Sequence, residues 1–173
     1  MGLSRHSSVG QQGKQMTPRQ IVERVCSAFD GVVPKLSWGE TSLFYNPRKV
    51  LPNGVYFFTI KEKDGENDKA SNLNRSGVFR MSIGLKPAAY TRLFGVKPNR
   101  PGKAGLIATG HDFTAINQLM PHPIYGWMCW AQILNPDKEK FEEILPLIAE
   151  AHEIAVVKFT KKTTNKSING KIE

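Results

Sequence analysis

The stretch VYFFTIKEKDGENDKASNLNRSGVFRMSIGL, residues 55–85, decides the fold class. Its first part, VYFFTIKEK (Val55–Lys63), is β-branched and aromatic and reads as a strand, with Asn53-Gly54 supplying a turn before it. The run from Asp64 to Ser76 is polar and rich in Gly and Asn, and reads as a loop. In VFRMSIGL (Val78–Leu85) the residues alternate: Phe79, Met81, Ile83 and Leu85 face one side, Arg80 and Ser82 the other. Two strands joined by a loop with no helix between them pair antiparallel.

Working outward, TSLFYN (Thr41–Asn46) adds a strand that Pro47 ends. WMCWAQIL (Trp127–Leu134) adds a fourth, with Trp127 and Trp130 on opposite faces. A helix starts at Thr17: Thr17 caps, Pro18 suits the first helical position and Gln20 completes a capping box. Ile21, Val22, Val25, Ala28 and Phe29 make its apolar stripe, and Asp30-Gly31 stops it. A short helix runs from Pro87 to Phe94, where Gly95 fits a left-handed end. A second short helix, FTAINQLM, is capped by Asp112 and ended by Pro121. The last helix spans about Asp137 to Lys161, and Pro146 inside it predicts two helical pieces, because a straight helix would bear a cost of about 3 kcal/mol there. The expected architecture is α+β: a mainly antiparallel four-stranded sheet packed with N- and C-terminal helices and two short central helices. Residues 17–160 form the domain, residues 1–16 a disordered tail and residues 161–173 a basic tail.

The motifs AFDG, SGVFRMSIGL, RLFG, PHPIYGW before a Trp-containing strand, NPD and the final AVVKF resemble domain-of-unknown-function family 6194, a bacterial family. The resemblance covers about residues 17–162, and PHPIYGW is its most specific part. More distantly the layout is similar to the MmcQ/YjbR-like proteins, which implies an α+β fold with an antiparallel sheet and a C-terminal helix. The resemblance carries no catalytic residues onto this chain.

The chain has 173 residues, 40% of them hydrophobic, enough for a core without disulfide or metal staples. No apolar stretch suits a membrane span and the N-terminus lacks an apolar signal region, so a cytoplasmic protein is expected. Cys26 and Cys129 are isolated and match no metal or redox spacing. More than half of the net charge of +9 lies on the two tails. The rest is concentrated, since no Asp or Glu occurs from Lys69 to His111.

Nucleophile elbows, phosphate-binding glycine loops and zinc-protease signatures are absent from the sequence, and neither a metal nor a cofactor is expected. His111, Asp112 and His122 match no ligand spacing. PHPIYGW fixes His122 between two prolines and presents Tyr125 and Trp127, which makes either a packing corner or the wall of a small-ligand pocket. Arg80 sits mid-strand opposite the apolar row. If that face is covered, its guanidinium needs an anionic partner, and Glu40 and Asp112 are the first acids to consider. Lys86, Arg92, Lys97, Arg100 and Lys103, interleaved with Tyr90 and Phe94, suggest non-specific phosphate contact. The leading expectation is a non-catalytic binding module with a small-ligand or anion pocket around His122, Tyr125, Trp127 and Arg80. The alternatives are a non-specific nucleic-acid-binding protein and a hydrolase-type enzyme using a His base.

Overall fold

The first helix, α1 (Pro18–Ala28), begins on the expected capping box: the Gln20 N–H donates to Thr17 Oγ1 and the Thr17 N–H donates to Gln20 Oε1. The computed structural model describes residues 14–170, so most of the expected N-terminal tail lies outside the described residues. Lys14 and Met16 already pair with the chain just before the last helix, through the Lys138 N–H to the Lys14 carbonyl and the Met16 N–H to the Pro136 carbonyl.

After α1 the chain forms β1 (Val32–Ser37), β2 (Glu40–Tyr45), β3 (Val55–Lys61) and β4 (Arg80–Gly84), then helix α2 (Pro87–Phe94), β5 (Met120–Pro121), β6 (Trp130–Leu134) and helix α3 (Lys138–Asn169). The fold is α+β, and every strand pair in its one sheet is antiparallel. Among the described residues the sheet has six strands in the order β1-β2-β3-β4-β6-β5 rather than the four expected. The two extra strands lie at its edges. β1 holds Pro34 and shows no period-two pattern, while β5 is only two residues long, so neither carried a strand signal.

One face of the sheet carries the core. Met81 and Ile83 of β4, Phe58 and Ile60 of β3, and Ala131 and Ile133 of β6 pack there against α1 and α3. α3 was expected in two pieces and is one helix through Pro146. Its buried stripe, Phe141, Ile144, Ile148, Ala151, Ala155 and Phe159, keeps helical phase across the proline. Burial of each large member contributes about 1.5–3 kcal/mol, which together outweighs the ~3 kcal/mol proline cost. Pro146 and Glu142, whose carbonyl the proline leaves without its helical donor, are both exposed residues. The helix also continues past Lys161 to Asn169.

The second expected central helix is not formed. Asp112 does accept from the Thr114 N–H and hydroxyl, but this closes a turn. Asn117 then takes a left-handed φ of 59° and donates its N–H to the Leu134 carbonyl, tying the segment to β6 instead. Trp127, expected to open the fourth strand, likewise falls outside it. It lies in a 3-10 turn over Gly126–Met128, closed by Cys129 at φ 67°, and the strand begins only at Trp130.

A bulge sets which residues leave the core. β2 and β3 shift register between Leu43 and Phe44, so that Leu43 pairs with Phe58 and Phe44 with Tyr56, leaving Phe57 as the extra residue. Strict alternation would place Tyr56 on the core face opposite Thr59 and Lys61. The extra residue returns it to their side of the sheet.

Candidate functional site

The face of the sheet opposite the core carries Ser42 and Phe44 from β2, Tyr56, Thr59 and Lys61 from β3, and Arg80 and Ser82 from β4. They floor a cavity of about 670 Å³. The 65–68 turn, His122, Ile124, Tyr125 and the tip of the β1–β2 hairpin at Trp38 wall it. Further along the same face Gln132 is closed off, accepting from the Ser71 hydroxyl and donating to the Phe113 carbonyl.

Arg80 is only 2% exposed, so its charge must be answered inside the protein. The partner is Asp68, and neither Glu40 nor Asp112 takes that role. Glu40 lines the rim of the cavity and Asp112 serves its own turn with Thr114. Arg80 Nη1 donates to Asp68 Oδ1 at 2.9 Å and Nη2 donates to Oδ2, a two-pronged pairing that suits the planar guanidinium. Lys61 Nζ also donates to Oδ2, at 3.1 Å. The antiparallel register explains why an acid is needed here. Lys61 and Arg80 are direct cross-strand partners, and like charges placed opposite one another repel. Asp68 comes from the loop joining those two strands and sits between them. Burial alone would raise its pKa, but the hydrogen bonds and charge of Arg80, then of Lys61, outweigh burial and hold the carboxyl well below the usual range. Arg80 Nε and Ser82 Oγ are buried with no hydrogen-bond partner among the described residues.

His122 is 2% exposed and fixed by its own turn. The Ile124 and Tyr125 N–H groups both donate to Nδ1 at 3.1 Å, so Nδ1 is an acceptor and the neutral ring carries its proton on Nε2. Pro121 and Pro123 flank it, and the His122 N–H donates to the Trp130 carbonyl, locking the turn onto β6. Burial, and after it the neighbouring Arg80 charge, hold His122 well below the ordinary imidazole pKa. The side chain is therefore a neutral donor at physiological pH.

The other wall is aromatic. Tyr56 and Trp130 lie 5.5 Å apart between ring centroids and 28° from parallel, and Phe44 meets Tyr56 edge-on at 6.0 Å. The indole reaches Tyr56 across β4 because Gly84 stands opposite Trp130, where a Cβ would come within 3.2 Å of the ring. Gly84→Val is expected to lift the indole off the strand at a cost of about 1–3 kcal/mol. A near-ultraviolet circular dichroism spectrum that keeps its tryptophan bands in this variant would show that the pair does not depend on the glycine.

Three of the four residues expected at a pocket, Arg80, His122 and Tyr125, thus line one cavity. Trp127 does not. It lies in an adjoining cleft with the Arg100 guanidinium 4.8 Å above its ring. His111 is exposed, bonded through Nδ1 to Thr109, and lines a third cleft beside Phe94. Of the basic stretch, Lys86 is paired with Glu153 at 2.9 Å and Arg100 is engaged by Trp127, while Arg92, Lys97 and Lys103 are exposed. Asp68, Lys61, Ser82 and the Tyr56–Trp130 pair are site residues that reading the sequence missed. The register of Lys61 opposite Arg80 is the signal that points to Asp68.

A family model described as "Family of unknown function (DUF6194)" matches residues 16–164, a span that includes every residue of this cavity. The chain belongs to that family. No curated protein and no solved structure matches the chain. Among the described residues no group of three or more His, Cys, Asp or Glu could hold a metal ion, and no helix is long and apolar enough to cross a membrane.

Proposed function

We propose that this member of the DUF6194 family is a non-catalytic binding module whose cavity on the open face of the sheet takes a small anionic ligand. One observation carries the reading: Arg80, Lys61 and Asp68 form a largely buried cluster with one positive charge in excess, in the wall of a cavity of about 670 Å³. Cavities of that volume suit small organic molecules. Around the Arg80–Lys61 end the available groups donate rather than accept, since His122 is held as an Nε2–H donor and both Asp68 oxygens are already engaged, while Glu40 and Glu66 are the acceptors elsewhere in the lining.

The same geometry weighs against catalysis by His122. Its Nδ1 is occupied by two backbone donors, and among the described residues no hydroxyl is bonded to the ring. The nucleic-acid reading receives less support, because Lys86 and Arg100 are each engaged within the protein.

The test is a thermal-shift titration of the wild type and Lys61→Met with acetate, benzoate, phosphate and citrate at millimolar concentration. Lys61→Met removes the surplus charge while keeping the Arg80–Asp68 pair. At least one anion is expected to raise the wild-type Tm, and its affinity should fall by about tenfold or more in the variant, equivalent to ~1.4 kcal/mol. Equal affinity in both proteins, or no response to any anion, would remove the site from consideration.

A further inference from the structure

We infer that the ligand is a flat aromatic carboxylic acid, its carboxylate at the Lys61–Arg80–His122 end, its ring along Tyr56 and Trp130, and Trp38 closing over it. This rests on the anion-pocket reading above and names the ligand class.

The charge count selects a monoanion. Two cations and one carboxylate leave a single positive charge at the buried end, and a dianion there would leave a negative charge poorly compensated. Glu40 and Glu66 line the same cavity outside that end, bring the whole lining to one negative charge in excess, and so disfavour a second negative charge on the ligand. Hydrogen-bonding capacity selects an acceptor group. The cavity wall holds a guanidinium, an ammonium and an imidazole N–H, and both oxygens of its most buried carboxylate, that of Asp68, already accept hydrogen bonds. A carboxylate meets both demands.

The aromatic wall selects the rest of the molecule. Tyr56 is half exposed although it stacks on Trp130, so the pair presents ring surface to the cavity without filling it. Offset stacking of a planar ring on such a surface gains about 0.5–1.5 kcal/mol beyond simple burial.

Trp38 supplies the second face. It is 97% exposed, at the tip of the β1–β2 hairpin and in the lining of this cavity. Trp38 and Gly39 both have positive φ, 56° and 73°, as a two-residue hairpin turn requires. Asn is the usual residue at the first of these positions. A bulky residue held there with its indole in water has no partner among the described residues to account for it. A ring lying on Tyr56 and Trp130 would give it one.

The experiment measures tryptophan fluorescence and thermal shift of the full chain with naphthoate, naphthamide, cyclohexanecarboxylate and naphthyl phosphate. Naphthoate is expected to bind, with naphthamide and cyclohexanecarboxylate each weaker by about tenfold or more. Trp38→Ala, a surface change that leaves the core intact, should weaken naphthoate several-fold and remove part of the fluorescence change. Naphthyl phosphate binding as tightly as naphthoate, cyclohexanecarboxylate matching it, Trp38→Ala without effect, or no binding of naphthoate would each overturn the inference. If the non-aromatic or phosphate probes bind as tightly as naphthoate and Lys61→Met abolishes their binding, the aromatic carboxylate is wrong and the anion pocket stands. If no anion binds at all, both fall.

Discussion

Asp68→Ala is expected to destabilise the protein by about 3–5 kcal/mol, the range for removing one partner of a buried ion pair. That is a large part of the 5–15 kcal/mol typical of a whole domain. The guanidinium of Arg80 cannot shed its proton and would stay charged with no anion beside it. Lys61 would face it across the strand pair with nothing between them. Adding Arg80→Met to Asp68→Ala should recover most of the loss, because an apolar side chain of similar length needs no counterion. Urea unfolding of the single and double variants checks this. A loss below about 1 kcal/mol in Asp68→Ala would mean the pair is not buried as described. The pH dependence follows from the same residue. Its folded pKa lies below the value of about 3.9 for a free side chain. The stabilisation is therefore complete above pH ~4 and is lost as the pH falls below that, and Asp68→Asn should flatten this part of the curve.

His122→Ala should lower stability by about 2–4 kcal/mol, since it leaves the N–H groups of Ile124 and Tyr125 without an acceptor and opens a void beneath the turn. His122→Asn keeps an acceptor oxygen near Nδ1 and is expected to lose less. Because burial and then Arg80 depress its pKa, the folded protein resists protonating His122 below the ordinary value of about 6.5, where the unfolded chain takes the proton. Stability attributable to this residue is complete above pH ~6.5 and falls as the pH drops below it, a window that starts well above that of Asp68. A wild-type Tm that is flat from pH 7 down to about 5, with His122→Asn showing the same curve, would contradict the assignment.

Much of the local structure was legible because local chemistry decides it. The box formed by Thr17 and Gln20 starts α1 by short-range hydrogen bonds, and the alternation of residues 79–85 places Arg80 and Ser82 away from the core. What escaped depends on long-range pairing. The bulge that turns Tyr56 outward arises only against β2, and the identity of the Arg80 partner only from the register of β3 on β4. Asp68 stood in a polar loop with nothing local to distinguish it from Asp64 or Glu66. Pro146 misled in the opposite direction: its local cost is real, but the packing of α3 on the sheet exceeds it. The PHPIYGW turn was visible as a rigid element. That its histidine accepts rather than donates at Nδ1 follows from the turn's folded shape, which brings two N–H groups to one nitrogen.

Among the described residues the sheet ends on both sides in strands poorly suited to recruit another. β1 is half proline-interrupted: Pro34 lacks an N–H, and Lys35 beside it is exposed. At the opposite edge β5 is two residues long, and one of them is Pro121. An open sheet edge is a template for self-association, and short, proline-bearing, charged edges are how soluble sheets avoid it. The same two strands that escaped a reading of the sequence are thus the ones whose proline or short length limits pairing at the borders of the sheet. Pro34→Thr, harmless to the core, would restore a β-forming residue and its N–H to that border and leave the protein prone to stacking on itself.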